Sequence, residues 1–135
     1  MNRLENMTQE DRRELLLKDL CARLPYGIKA SYYGADEECE TWDEVDGVAF
    51  DYVEIGQYSL PIERVKPYLF PLSSMTDEEW EEYQKIRMID WVHGDINGTF
   101  INAGLIVDWL NAHHFDYRGL IEKGLAIDAT GLNIY

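Results

Sequence analysis

The sequence predicts an α+β fold, in a single compact domain with three to four helices and a small antiparallel sheet. Capped segments with apolar residues at helical spacing alternate with short segments rich in β-branched and aromatic residues. Apolar residues make up 46% of the 135 residues, which is enough to form one core. No linker, repeat or low-complexity tract divides residues 1–135, so one domain is expected.

The first predicted helix has a clear start and a clear end. Thr8, followed three residues later by Asp11, resembles a capping box, so a helix is expected from about Gln9. Leucines recur at helical spacing until Pro25 ends the helix. Cys21 falls on this apolar stripe, and we therefore interpret it as a small core residue rather than a nucleophile.

Two strands are predicted next, over residues 28–33 and 48–55, the second half-buried and with a register change. Together they form a hairpin with a long acidic connection. The 34 residues between Lys29 and Arg64 contain no Lys or Arg. The ten acids in that stretch are Asp36, Glu37, Glu38, Glu40, Asp43, Glu44, Asp46, Asp51, Glu54 and Glu63.

The acidic connection is the predicted partner-binding surface. A field of one sign repels nucleic acid and attracts basic protein surfaces, and Trp42 is the kind of aromatic residue that anchors interfaces. A merely solvated loop is one alternative. A calcium site is another, although the EF-hand spacing is absent. The predicted partner-binding residues are Asp36, Glu37, Glu38, Glu40, Trp42, Asp43, Glu44 and Asp46.

The second half of the chain is predicted to be mostly helical. A helical turn is expected over 59–65 and an extended segment over 68–72, followed by a helix that a capping box of Thr76 and Glu79 opens. A turn or tight hairpin is expected over 93–99 and a helix over about 101–113. A short last helix is expected to be capped by Asp116 and ended by Gly124. The capping box predicts the clearest helix start in the chain, since acids follow it in the first turns.

Net charge excludes whole classes of partner. The 26 acids and 12 bases give a charge of −14, which argues against direct binding to nucleic acid or to an anionic membrane. The longest apolar runs are three residues, and no N-terminal stretch has the order of a signal peptide. We therefore expect a cytoplasmic location and a basic protein as partner.

His113, His114 and Asp116 contain the residue types of a general base or a metal site. Adjacent helical residues point about 100° apart, so one site would not readily use both histidines. The sequence has no HExxH, no paired CxxC and no Gly-rich phosphate loop, so no cofactor, metal or catalytic residue is predicted. We interpret these histidines as capping groups at a helix end, and a small hydrolase-like enzyme using them is the alternative.

Three segments of the chain resemble a family of small uncharacterised proteins from gut-bacterial phages, prophages and mobile elements. They are residues 15–27 (LLLKDLCARLPYG), 61–76 (PIERVKPYLFPLSSMT) and 108–126 (DWLNAHHFDYRGLIEKGLA). The resemblance implies a shared fold, a setting in the host cytoplasm and a role as an accessory or anti-defence factor. It implies no activity, cofactor or catalytic residue. Residues 34–57 lie outside the resemblance.

The resulting hypothesis is an acidic, non-enzymatic protein-interaction domain of phage or mobile-element origin. Its expected partner is a basic surface of a bacterial host protein, and mimicry of nucleic acid is a sharper form of the same hypothesis. Four Trp in 135 residues leave a self-associating structural component as a further alternative.

Overall fold

The computed structural model describes residues 7–33, 40–92 and 104–135, which contain three α-helices and one mixed sheet. The helices are α1 (Gln9–Arg23), α2 (Asp77–Val92) and α3 (Gly104–Ala112). The strands are β1 (Lys29–Tyr33), β2 (Glu40–Ala49), β3 (Tyr52–Ile55), β4 (Tyr58–Pro61), β5 (Val65–Pro71), β6 (Phe115–Asp116) and β7 (Ile127–Asp128). None of the helices in these ranges combines the length and apolar character that crossing a membrane requires.

The sheet is larger than predicted and is not purely antiparallel. Its seven strands follow the order β4-β3-β2-β1-β5-β6, and β7 also pairs with β5. β5 pairs in parallel with both β6 and β7, whereas the first five strands are antiparallel. The α+β class and the single compact domain are confirmed. The prediction of a small antiparallel sheet was wrong. The strands β6 and β7, which pair in parallel with β5, are two residues each and show no alternation from which a strand could be predicted.

Both predicted capping boxes are present. Thr8 Oγ1 accepts a hydrogen bond from the Asp11 N–H at 3.0 Å, and the Asp11 carboxylate accepts one from the Thr8 N–H at 3.2 Å. Thr76 and Glu79 exchange the same pair of bonds, at 3.1 and 2.9 Å, at the start of α2. Each box satisfies backbone donors that a helix start leaves without partners, so both helix starts are confirmed.

The buried stripe of α1 differs from the predicted one. Leu16 and Leu20 are buried as expected, but Asp19 and Arg23 share their face and are fully buried. Cys21 is exposed, and its interpretation as a core residue was wrong. Successive residues of a helix point about 100° apart, so a stripe centred on Asp19, Leu20 and Arg23 turns Cys21 toward solvent.

Residues 40–47, predicted to belong to a long acidic connection, form most of strand β2 (Glu40–Ala49). β2 pairs with β1 in a register that sets Lys29 opposite Glu44. The chain then turns at Phe50 and Asp51, so the predicted single strand over 48–55 is a hairpin of β2 and β3. Acidic residues disfavour strands, and here the pairing with β1 and β3 overrides that preference.

The later predictions had mixed outcomes. The segment predicted to be a helical turn over 59–65 instead forms part of strand β4 and a single 3-10 turn, Ile62–Arg64. Strand β5 confirms the predicted extended segment over 68–72. α3 confirms residues 104–112 of the predicted helix. The Asp116 carboxylate accepts hydrogen bonds from the backbone N–H groups of Leu120 and Ile121, each at 2.9 Å. The prediction of a last helix was wrong, because these residues form turns. The turn predicted over 93–99 lies outside the described residues.

The main core lies between α1 and one face of the sheet, which we call the α1 face. Leu16 and Leu20 pack there against Ala30, Val45 and Val53 of the first three strands. A smaller cluster covers the opposite face of the sheet at β5, where Tyr68 and Phe70 meet the C-terminal segment. Its remaining members are Ile127, Ala129 and Ile134. Among the described residues, the C-terminal segment therefore covers the second face of the sheet around β5.

Tyr135 fastens the C-terminal segment to the sheet. Its hydroxyl accepts a hydrogen bond from the Lys29 N–H at 3.0 Å and donates one to the Tyr68 carbonyl at 2.8 Å. Its ring stacks on His114 with 3.7 Å between centroids. The hydroxyl thus bridges β1 and β5, and burial raises its pKa.

Candidate protein-binding surface

The predicted partner-binding residues divide between β2 and a part of the chain outside the described residues. Glu40, Trp42, Asp43, Glu44 and Asp46 lie on β2, and Asp36, Glu37 and Glu38 are the three outside. Successive side chains of a strand point to opposite faces of the sheet. Residues 40–46 therefore cannot present all their acids on one surface, as a loop could.

The alternation of β2 separates two groups of side chains. Val45 is buried and pairs with Ile55, which places it on the α1 face, and Asp43 lies on the same side. Trp42 and Glu44, which flank Asp43, face the other way, opposite Ser31 and Lys29 of β1. Residues directly opposite each other in antiparallel strands share a face.

A β-bulge keeps the outward surface acidic along β3. The register shifts between Val45 and Gly47, after which Val48 pairs with the buried Val53 and Gly47 pairs with Glu54. The shift lets β2 keep apolar residues on the α1 face on both sides of the bulge. We call the outward surface the open face. Its exposed residues are Trp42, Glu44, Tyr52, Glu54, Ser59 and Lys66.

The open face carries carboxylates without counter-ions. Glu44 and Glu54 form no ion pair within the described residues, and neither does the exposed Asp46 at the bulge. Glu54 accepts one hydrogen bond, from Ser59 Oγ at 2.9 Å. Trp42 on β2 is 46% exposed, and Tyr52 on β3 is 51% exposed. The surface therefore combines unneutralised negative charge with large aromatic groups.

Lys29 lies at the margin of the open face and holds Trp42 in place. Its ammonium donates a hydrogen bond to the Ile134 carbonyl at 2.8 Å and lies 5.4 Å from the centroid of the Trp42 ring. A cation at this distance from an indole face is attracted to it. Trp42 therefore has a fixed partner on one side and solvent on the other.

Phe50 stands at the tip of the β2–β3 hairpin, next to the open face. It is 90% exposed, and its φ of 53° lies in the left-handed region that bulky residues rarely adopt. Two-residue hairpin turns favour Gly or Asn at such positions. Sequence reasoning missed Phe50, because the Phe-Asp pair is not a turn signal.

Asp43 has a structural role on the α1 face. Its Oδ1 accepts a hydrogen bond from the Glu44 N–H at 2.7 Å. Burial, and after it the negative charge of Asp43, raises the pKa of the Tyr32 hydroxyl. Asp43 therefore faces away from Trp42 and Glu44, although all three were predicted to act together.

His113, His114 and Asp116 are not brought together as a catalytic group. His113 Nδ1 lies 2.9 Å from the Trp109 carbonyl, and its ring stacks on Trp109 with 4.2 Å between centroids. His114 stacks on Tyr135, and burial lowers its pKa to about 4. The Asp116 carboxylate is engaged by two backbone N–H groups.

The described residues form no metal centre. Within residues 7–33, 40–92 and 104–135, no group of three or more His, Cys, Asp or Glu side chains converges in a way that suits a metal ion. Calcium binding was an alternative for the acidic residues. The candidate ligands were Asp36, Glu38, Glu40, Glu44 and Asp46, of which Asp36 and Glu38 lie outside the described residues, so the calcium site stays a hypothesis.

A buried charge cluster was also missed. Asp19 accepts hydrogen bonds from Arg23 at 2.9 Å and from Arg118 at 2.8 Å, and Arg23 also donates to the Phe115 carbonyl at 2.7 Å. The i, i+4 spacing of Asp19 and Arg23 was a visible signal for a pair, but such pairs usually lie on a solvated face. Here the cluster ties α1 to the segment around β6.

Comparison with known proteins adds no family to this description. No protein-family model, curated protein or solved structure matches the chain. Every function proposed below therefore rests on the residues of the chain itself.

Proposed function

We propose that this chain is an acidic, non-enzymatic protein-interaction domain of phage or mobile-element origin. Its partner is a basic surface of a bacterial host protein in the cytoplasm, and the open face is the binding surface. The observation that carries the proposal is the pair Glu44 and Glu54, exposed and without counter-ions beside Trp42 and Tyr52.

Charge and aromatic groups have separate roles in this proposal. Unneutralised carboxylates speed the encounter with a basic surface and set its orientation. Exposed Trp and Tyr side chains supply most of the affinity in many interfaces, because they bury large areas with few rotatable bonds. The same field repels duplex DNA and an anionic membrane, so neither is expected to bind the open face.

A pull-down from bacterial lysate tests the proposal. The chain is immobilised, and captured proteins are released between about 50 and about 500 mM NaCl, where screening weakens exposed charge pairs. The double variant E44Q/E54Q should lose several-fold more partner than E78Q/E81Q, which removes the same charge from exposed positions on α2. Equal losses from both double variants, or capture that does not respond to salt, would contradict binding through the open face.

Nucleic-acid mimicry is the sharper form of this function. If the partner is a nuclease or another DNA-binding factor, duplex DNA should compete with the chain for the captured protein. Mimicry requires that the same basic groups of the partner bind phosphate in one complex and the carboxylates of Glu44 and Glu54 in the other. A partner that binds DNA and the chain at the same time would exclude mimicry while leaving the interaction domain intact.

Self-association is a second candidate, favoured by one observation. Phe50 is 90% exposed at a hairpin tip, where a second copy would bury it. The net charge of −14 opposes contact between two copies, so any dimer should strengthen with added salt. Sedimentation at about 50 and about 500 mM NaCl distinguishes the two candidates. A monomer at both salt concentrations would exclude self-association.

A further inference from the structure

A cavity of about 230 Å³ opens beside α1, on the opposite side of the sheet from the open face. It lies between α1, the turn Ile62–Arg64, the start of β5 and the turn that precedes β7. Its lining residues are Gln9, Arg12, Arg13, Leu16, Ile62, Glu63, Val65, Lys66, Gly124 and Leu125. The cavity therefore belongs to a different surface from the one proposed for the protein partner.

The floor of the cavity is apolar. Leu16 and Leu125 are 4% and 8% exposed, and Ile62 and Val65 are fully buried. All four belong to the main core, which fixes their positions. The floor thus offers a preformed apolar surface to the body of a small ligand.

The rim is basic, which is unusual in a chain with a net charge of −14. Arg13 is neutralised by its ion pair with Glu63. Arg12 has no carboxylate partner within the described residues, and its Nη2 donates one hydrogen bond to the neutral Lys123 carbonyl at 3.0 Å. Lys66 lines the cavity at the start of β5, but it pairs with Ser31, so its ammonium belongs to the opposite face of the sheet. The rim therefore holds one cation, Arg12, that no acid of the described chain neutralises.

Gly124 borders the guanidinium of Arg12. Gly124 has a φ of 75°, and a Cβ atom at this position would lie 3.9 Å from Arg12 Nη2, an ordinary van der Waals contact. A residue with a side chain would be strained in this backbone conformation. Arg12 is half-buried, so its charge is partly shielded from water and interacts more strongly with an anion than a fully exposed arginine would.

We propose that this cavity binds a small carboxylate with an apolar body, with the carboxylate on Arg12 and the body on the floor formed by Leu16, Val65 and Leu125. A planar guanidinium matches a carboxylate through two parallel hydrogen bonds, which an ammonium does not provide. The proposal goes beyond the protein-interaction function and does not depend on it.

The dimensions limit the ligand class. Since a water molecule takes roughly 30 Å³ of the liquid, the cavity has room for about eight non-hydrogen atoms. A nucleotide is too large for this volume. Inorganic phosphate fits, but it would leave the apolar floor without a partner and would require more cationic groups. A short aliphatic or aromatic acid satisfies both the rim and the floor.

Sodium hexanoate is a suitable probe, and NMR spectra of the ¹⁵N-labelled chain are the readout. Amide signals of Leu16, Val65 and Leu125 should shift with saturable behaviour and a Kd in the millimolar range, as expected for so small a ligand. R12Q should weaken binding about tenfold, the loss of one charge-assisted pair. K18Q, which removes one charge from an exposed position of the same helix, should leave the Kd unchanged.

Hexanamide and phosphate provide comparisons on the unchanged protein, so the test does not depend on the stability of R12Q. Hexanamide has the same shape without the charge and should bind at least about tenfold more weakly. Equal binding of hexanoate and hexanamide would overturn the role of Arg12. Phosphate binding as tight as hexanoate would overturn the apolar ligand class, and the absence of saturable shifts with hexanoate would overturn the site.

Discussion

His114 combines an unusual backbone with a depressed basicity. Its φ of 63° lies in the left-handed region, where the chain turns from α3 into β6. The ring stacks on Tyr135 at 3.7 Å, and burial, together with the positive charge of Arg23, lowers its pKa to about 4. At neutral pH this imidazole is therefore uncharged, and it packs as an aromatic ring.

The depressed pKa of His114 predicts a pH dependence of stability. The unfolded chain protonates this residue at its ordinary pKa of 6.5, but the folded chain does so only near pH 4. The contribution to the free energy of unfolding is therefore fully present above about pH 6.5 and is lost as the pH falls toward about 4. The variant His114→Asn tolerates the left-handed backbone and does not titrate.

Urea unfolding at about pH 7 and about pH 4.5 measures this effect. The wild-type chain should lose more unfolding free energy between the two values than His114→Asn does. Carboxylates titrate in the same range, but they are common to both proteins, so the difference between the two losses isolates His114. Identical losses would show that protonation of His114 is not coupled to unfolding.

The β2–β3 hairpin is an element in which the structure differs from the prediction made from the sequence. Its two turn residues, Phe50 and Asp51, carry no turn signal, and the alternation of apolar residues runs through them, which is why one strand was predicted over 48–55. Left-handed φ at Phe50 costs on the order of 1 kcal/mol or more, and 90% exposure means that the ring recovers little of it by burial. Under the proposed function, the exposed ring of Phe50 contacts another molecule, and this contact offsets the backbone strain.

Two substitutions separate strain from contact at Phe50. Phe50→Gly should raise the free energy of unfolding by about 1 kcal/mol, because Gly adopts the left-handed conformation without strain. Phe50→Ala keeps the strained backbone and should gain nothing. Both remove the ring, so both should weaken capture of the partner or any self-association equally. A gain in stability from Ala as large as that from Gly would refute the role of backbone strain.

Elements with local signals were predictable, and those that depend on distant contacts were not. The capping boxes of α1 and α2 need only four neighbouring residues, so both helix starts were correct. β2 is a strand because of its register with β1 and β3, and no property of residues 40–46 indicates it. Trp42 and Glu44 were identified by residue type, while Tyr52 and Glu54 joined them only through the bulge between Val45 and Gly47. The burial of Asp19 and Arg23 was missed, because charged side chains usually lie in solvent.

At the scale of the molecule, 26 acids outnumber 12 bases. Glu44 and Glu54 of the open face have no counter-ions within the described residues. The net charge of −14 means that repulsion among acids dominates the electrostatic energy of the folded chain. Exposed pairs such as Arg13 with Glu63 offset little of this repulsion, because water and salt screen their attraction.

The charge excess predicts that added salt stabilises the chain. The Debye length falls from about 30 Å at 0.01 M to about 8 Å at 0.15 M, which screens the repulsion. The urea midpoint should therefore rise between these two NaCl concentrations, and it should rise less in E44Q/E54Q, which lacks two of the repelling charges. A midpoint that falls with NaCl would mean that ion pairs, rather than repulsion, dominate.

The position of β5 in the sheet has a consequence for how the chain folds during synthesis. β5 pairs with β1, which precedes it by about 35 residues, but it also pairs with β6 and β7, which follow it by about 45 and 60 residues. On the ribosome, the apolar residues Tyr68, Leu69 and Phe70 thus emerge well before the strands that pair with them. Until residue 128 has been made, β5 presents an unpaired edge, and in this interval the nascent chain is most open to aggregation or to capture by a chaperone.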